Sequence, residues 1–432
     1  MPYSNSLRRI SRLLVRTVSR ALLLTTGLAL IVMGCSSSTA TTTTTPPTGG
    51  GGGTTTGWTG GGDGIWRRNA VYAETVTFDP CNAHQPGSGE YHYHDNPVCL
   101  RYQMADNITG TNVGTSTATF AETTGTHTHS PILGWSYDGY PVYGPYGYAT
   151  STSATSGVRR MVSSYALRTD NTTTRTSLPA WAQAYQGITT ALTTSQYGPA
   201  VSATYPLGRY VEDFAYTAGS GDLDQYNGRF CVTPDFPAGT YAYFVTIDAT
   251  GNAAFPYYLG PQFYGTDSGG TVTSIAETTT TYYTNHALQG SSSTTPQLVS
   301  WLLKYTSQYA QILYDSNGSV TGPVTTWTGN TTQTYADVQS IQYSANYVYV
   351  KMSGLASHMM GPWFLNAAKT QNFPNLPTNQ NATARFPLAP SAATTKTSTG
   401  GGAQGRWVNG VAMFNMLDFY SWSNSSQADV GP

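Results

Sequence analysis

Gly239-Thr240-Tyr241-Ala242-Tyr243-Phe244-Val245-Thr246-Ile247 is the stretch that decides the fold class. β-branched and aromatic residues dominate it, and these suit a pleated surface while losing side-chain freedom in a helix. Tyr347-Val348-Tyr349-Val350-Lys351-Met352 reads the same way. Turn signals lie between such stretches: Asp138-Gly139, Asn317-Gly318 and Asn409-Gly410. The chain has 32 Tyr, 46 Gly and 24 Pro against only 20 Lys and Arg. We expect a mainly β protein, a sandwich-like or barrel-like antiparallel domain. One segment departs from this pattern. Leu298, Trp301, Leu302, Tyr305, Tyr309, Ile312 and Leu313 recur at three- and four-residue spacing, which predicts one linking helix over about 296–313.

The N-terminus carries an export pattern. Arg8, Arg9, Arg12, Arg16 and Arg20 precede an apolar run from Ala21 to Met33. That run falls short of the roughly twenty residues needed to span a bilayer and fits a signal peptide over 1–34. Val32-Met33-Gly34-Cys35 resembles the lipobox of bacterial lipoproteins, which implies lipidation of Cys35. The following Ser/Thr/Gly tract, 35–62, is too polar to bury a core and reads as a tether. The expected location is the bacterial cell envelope, outside the cytoplasm and anchored by lipid only, on the outer membrane if the cell has one. Charged residues make up 9% of the chain and the net charge is −1. With no basic stripe, nucleic acid is not an expected partner.

Five of the seven histidines fall between His84 and His129. Four form two H-x-H pairs, His92 with His94 and His127 with His129. Residues i and i+2 of a strand share a face, so two such strands side by side would aim four imidazoles into one volume. Imidazole is the commonest protein ligand for transition metals. We therefore expect a metal site built from His92, His94, His127 and His129, with His84 and His358 as further candidates. Asp138, Asp95 and Glu90 are candidates to orient the rings. Met359 and Met360 beside His358 tilt the choice of ion toward copper, ahead of zinc. Tyr91 and Tyr93 should point the other way and pack in the core. Cys81 and Cys99 bracket the first pair, which predicts a disulfide and leaves Cys231 over, the alternative being thiols that ligate the ion.

Several runs together resemble the bacterial YHYH domain family. They are Gly89-Glu90-Tyr91-His92-Tyr93-His94, His129-Ser130-Pro131-Ile132-Leu133-Gly134-Trp135, Asp138-Gly139-Tyr140-Pro141-Val142-Tyr143-Gly144-Pro145, Val211-Glu212-Asp213-Phe214 and Gly221-Asp222-Leu223-Asp224 with Asn227-Gly228-Arg229-Phe230. The resemblance covers 63–265. It implies an exported protein and brings no established activity with it. In relatives a cysteine often stands at the position of Tyr226, which again leaves Cys231 unpaired. Val348-Tyr349-Val350, Gly361-Pro362-Trp363, Trp407-Val408-Asn409-Gly410 and Asp418-Phe419-Tyr420-Ser421-Trp422 resemble what usually precedes the histidine motif. Residues 335–432 are thus expected to complete the same domain by circular permutation, with 266–334 as the connecting segment. Such an arrangement requires Gly62 to lie near Pro432.

The function expected from these features is a surface lipoprotein that binds copper or zinc. The alternatives are a metal-dependent extracytoplasmic enzyme and a metal-free structural or glycan-binding module. Tyr137, Tyr140, Tyr143, Tyr146 and Tyr148 are the residues that would stack on a sugar. Asp222 and Asp224 form an oxygen-rich turn that suits Ca²⁺ weakly, because no bidentate acid follows at EF-hand spacing. The motifs G-x-S-x-G, H-E-x-x-H and the P-loop do not occur.

Overall fold

Thr240–Phe244 forms a strand near one edge of an eight-stranded sheet. The order across the sheet is Gly228–Cys231, Thr240–Phe244, Pro141–Tyr143, Ile132–Ser136, Ala403–Trp407, Ala412–Phe414, His92–Tyr93 and Ala83–His84. Two pairings are parallel, Thr240–Phe244 with Pro141–Tyr143 and Ala412–Phe414 with His92–Tyr93. The sheet is therefore mixed, not wholly antiparallel. The computed structural model describes residues 60–290, 292–314 and 322–432. The leader, Cys35, most of the tether and the Asn317-Gly318 turn lie outside the described residues.

A second, antiparallel sheet of six strands runs Gly270–Val272, Ala382–Pro387, Tyr347–Met352, Val338–Tyr343, Thr280–Thr284 and Ala287–Leu288. Both large sheets are open at their edges, which sets aside the barrel and leaves a sandwich-like β fold. Their apolar faces feed one core containing Trp135, Trp407, Ile341, Val350 and Phe386. Phe386 of the second sheet meets Tyr137 and Trp301, with ring centroids 5.9 and 5.4 Å apart. The Asp138-Gly139 turn closes as its sequence predicts. Gly139 has φ +87°, a conformation that a side chain resists, and donates its N–H to the Ser136 carbonyl at 2.9 Å.

C-terminal strands are woven into this framework. Ala403–Trp407 and Ala412–Phe414 lie between Ile132–Ser136 and His92–Tyr93. Leu417–Ser423 pairs with Arg67–Asn69. The Gly61 N–H donates to the Phe419 carbonyl at 3.0 Å, and the Asp63 N–H donates to the Trp422 carbonyl at 3.0 Å. Gly61 packs so closely on Gly431 that a Cβ would lie 2.0 Å from its carbonyl oxygen. The start of the described chain and its end are neighbours.

The expected helix over 296–313 is corrected to a single turn, Pro296–Val299. Beyond it the backbone N–H groups of Leu302, Ala310, Ile312 and Leu313 donate to Val408, Thr334, Val324 and Met360. Tyr305 is half-buried and Tyr309 is exposed, whereas Leu298, Trp301, Leu302, Ile312 and Leu313 are buried as the spacing implies. They are buried by extended pairings, because Ser300, Thr306 and Ser307 give the segment little helical preference to oppose them.

One buried carboxyl opposes folding as pH rises. Asp337 is fully enclosed, with φ +61°, and its Oδ1 accepts the Ser357 N–H at 2.9 Å while Oδ2 has no partner. Burial, only partly offset by Ser357, pushes its pKa up to about 8. A native pKa above the unfolded one means that the native state keeps its proton longer. The penalty is absent below about pH 4, where both states are protonated, and complete above pH 8. Asp337→Asn keeps the shape and tolerates the left-handed backbone. We expect it to match the wild type at pH 4 and exceed it by on the order of a few kcal/mol at pH 9. Urea unfolding at the two pH values measures this; equal stabilities at pH 9 would refute it.

Candidate metal centre

Ala83–His84 and His92–Tyr93 pair antiparallel with His84 directly opposite His92. Opposed residues share a face, as do i and i+2 on one strand. His84, His92 and His94 are thus driven to one side of the hairpin. One ring nitrogen from each lies within 4.8 Å of the other two, and His92 Nε2 is 3.0 Å from His94 Nε2. All three rings are buried.

The outer nitrogens are held. His92 Nδ1 donates to the Glu90 carbonyl at 2.8 Å and His94 Nδ1 to the Asn415 carbonyl at 2.6 Å. His84 Nδ1 lies 2.7 Å from the Thr77 hydroxyl. That hydroxyl donates its own proton to the Glu74 carbonyl at 2.7 Å, so it accepts from His84. With each Nδ1 acting as the donor, the neutral rings turn three Nε2 lone pairs inward.

A carboxylate completes the group. Glu74 ends the short helix Ala70–Glu74. Its Oε2 lies 3.1 Å from His94 Nε2 and 3.4 Å from His84 Nε2, yet is aligned for a hydrogen bond with neither. Burial works against the charge on Glu74, but the attraction of His84 and His94 outweighs it and holds the carboxyl well below its ordinary range. Burial likewise opposes the charge on His94, and Glu74 and the Asn415 carbonyl reverse it to a raised pKa. Burial lowers His84 despite Glu74, and burial with repulsion from His84 and His94 lowers His92 strongly. The centre therefore favours a positive charge beside a carboxylate and resists protonating every ring. Aromatic side chains enclose it: Phe414 stacks on His92 at 3.9 Å, Phe78 meets His84 at 4.9 Å and Phe373 meets His84 at 6.0 Å.

The loop between Glu74 and His84 is shaped by Asp79. Its carboxylate accepts the N–H groups of Cys81 and Gly361 at 2.8 Å, the Ala83 N–H at 3.2 Å and the Tyr91 hydroxyl at 2.8 Å. Burial raises Asp79 to about 6 against these four donors. The disulfide Cys81–Cys99 ties the same loop to the helix Val98–Gln103. Closing a loop of 18 residues contributes about 3 kcal/mol in the chain-entropy account. Cys231 is free and buried.

The profile of one protein family, described as YHYH protein, matches residues 17–256, more than half of the 432. The chain belongs to the YHYH protein family. No curated protein and no solved structure matches it.

In this YHYH family member the two H-x-H pairs do not meet, which corrects the expected cluster of four. Thr126–Ser130 is not a strand, and the Ile132–Ser136 strand that follows lies three strand positions from His92–Tyr93. At the usual spacing that is about 14 Å. His127 stacks on Tyr146 at 4.1 Å, with Nε2 3.0 Å from the Thr123 carbonyl. His129 Nδ1 lies 2.8 Å from the Ser130 carbonyl, and burial lowers its pKa. His84, expected only as a further candidate, takes their place.

The orienting residues are also redistributed. Glu90 holds His92 through its carbonyl, while its carboxylate pairs with Arg406 at 2.9 Å. Asp95 is buried near His94 with Oδ1 unpartnered, and burial pushes it up to about 7 against the pull of His94. Asp138 serves another place. It accepts from Ser136, from Tyr243 at 2.6 Å and from the Gly265 N–H at 2.8 Å. Glu74 was not among the residues read as candidates. The available signal was its position ten residues before His84 in a chain with only 21 acidic residues.

Tyr91 and Tyr93 face away from the imidazoles and are fully buried. His358 sits on their side, corrected from a ligand of the histidine group. Its Nε2 is 2.5 Å from the Tyr93 hydroxyl, and burial lowers its pKa to about 4. The Ca²⁺ expectation is corrected too. Asp222 is engaged by Arg159 and the Val162 N–H, whereas Asp224 accepts from the Tyr226 and Gly228 N–H groups of its own turn and from the Tyr241 hydroxyl of the Thr240–Phe244 strand. Of the aromatic run, Tyr137, Tyr140, Tyr143 and Tyr146 are buried packing residues.

Proposed function

We propose that this protein holds one divalent transition-metal ion through His84, His92, His94 and Glu74. One observation carries the reading: a ring nitrogen from each of the three histidines lies within 4.8 Å of the others, His92 and His94 Nε2 are 3.0 Å apart, and Glu74 Oε2 lies 3.1 Å from His94 Nε2 and 3.4 Å from His84 Nε2. Ligand atoms arranged tetrahedrally at zinc-like bond lengths stand about 3.3 Å apart. Without a cation, three buried lone pairs and an anionic oxygen would repel one another. The donors are all nitrogen and oxygen, so the thioether argument for cuprous ion falls away and Zn²⁺ or Cu²⁺ fits best. The enclosing phenyl rings favour holding the ion over transforming a substrate on it. Protein prepared without chelators should carry about one equivalent of zinc or copper by elemental analysis, as a single tightly bound ion requires. Removing the ion should lower the melting temperature, and returning it should restore the loss. Metal-free protein whose melting is indifferent to both ions would sink this reading.

We also propose that the chain is a lipoprotein of the cell envelope. The basic leader, the Val32-Met33-Gly34-Cys35 motif and the polar tract after it support this. Metabolic labelling with a fatty-acid analogue should mark the wild type and not Cys35→Ser. Equal labelling of both, or of neither, contradicts it.

A further inference from the structure

The side of the hairpin opposite the three histidines carries a second cluster. Cys81 Sγ lies 3.3 Å from His358 Nδ1 and 3.4 Å from the Met359 carbonyl. Both sulfurs and one nitrogen of His358 fall within 4.8 Å of one another. The far nitrogen of His358 is taken by Tyr93, whose hydroxyl can either donate or accept. With the disulfide closed, His358 Nδ1 donates to the Met359 carbonyl at 3.1 Å and Nε2 accepts from Tyr93. Shifting the ring proton to Nε2, with the Tyr93 hydroxyl turned to accept it, frees an Nδ1 lone pair toward the sulfurs. A cavity of about 130 Å³, lined by Cys81, Cys99, Tyr102, His358 and Met359, lies against the same bond. It gives the sulfurs room to separate. A disulfide serving only as a staple requires neither an imidazole aimed at it nor a cavity beside it.

We propose that Cys81, Cys99 and His358 form a redox-gated metal site, closed while the disulfide is intact and opened by reduction to bind a soft or borderline cation such as Zn²⁺ or Cu⁺. A dithiol supplies two electrons and two protons, the Cys81–Cys99 bond breaks to two thiols and the dithiol closes to its own disulfide. The incoming ion displaces the two thiol protons and takes both thiolates and His358 Nδ1. Two thiolates and an imidazole with one position open toward a cavity is a recognised zinc set, and thiolates also select cuprous ion. Cys81 is three residues from His84, and the bond brackets His84, His92 and His94. Opening it therefore acts on the loop that carries the first site.

The test is a Co²⁺ titration of the full chain, before and after anaerobic reduction with a dithiol and desalting. The oxidised protein should bind without a thiolate-to-cobalt charge-transfer band. The reduced protein should take one further equivalent and show that band. His358→Gln leaves both sulfurs in place and should weaken the added equivalent at least about tenfold. His92→Ala/His94→Ala should lose binding in the oxidised state and still gain the band on reduction, so failure of either site is seen separately. Reduction that adds no equivalent and no band overturns the proposal, as does a reduced His358→Gln protein that binds as tightly as the wild type.

Discussion

His92→Ala/His94→Ala should bind no divalent ion at concentrations that saturate the wild type. Both rings belong to one strand segment and present Nε2 atoms 3.0 Å apart, so their loss leaves only His84 and Glu74. Two ligands do not hold a transition ion in water against exchange. A ligand that binds only the native state stabilises it by about 4 kcal/mol at a thousand times its Kd. That increment, measured as the difference between urea unfolding with and without added ion, should vanish in the variant. Taking the difference removes whatever the truncations do to the metal-free fold. A variant that keeps the increment would place the ion elsewhere.

Arg101→Ala should destabilise the protein by about 3–5 kcal/mol, because it strips the guanidinium from a buried ion cluster. Arg101 is fully enclosed on the helix Val98–Gln103. Its Nε donates to Asp106 at 2.8 Å, and its two terminal nitrogens reach Glu122 at 2.7 and 2.8 Å. The Asp106 side chain is itself wholly buried and would be left with fewer donors. Urea unfolding at neutral pH measures the effect; a loss below about 1 kcal/mol would show that the pairing is incidental. The same helix carries Cys99, so the variant should also loosen the loop that presents His84.

The parts of the site that could be read from the chain are those governed by local geometry. Alternation alone puts His92 with His94 and turns Tyr91 and Tyr93 to the opposite side. The placement of Cys81 and Cys99 around the motif pointed to their bond. Glu74 and the role of Thr77 could not be read, because a five-residue helix and a loop shaped by Asp79 bring them in. The segment 296–313 misled for a related reason. Its three- and four-residue spacing records burial, and burial in a pairing with Val408, Thr334 and Met360 leaves the same mark as burial in a helix.

Composition and alternation sufficed for a β protein built of short strands, with an imidazole face and a phenol face on one hairpin, since both follow from a side-chain period of two. Strand order was decided in three dimensions. Ala403–Trp407 and Ala412–Phe414, some three hundred residues from the motif, insert between the His92–Tyr93 strand and the Ile132–Ser136 strand that follows the second H-x-H pair, and part them. No local spacing encodes that insertion, because it depends on which distant edges find complementary hydrogen bonds and a common core. It leaves His84, the near neighbour across a hairpin, and Glu74, the end of a short helix, to complete a cluster that the four paired histidines seemed to promise.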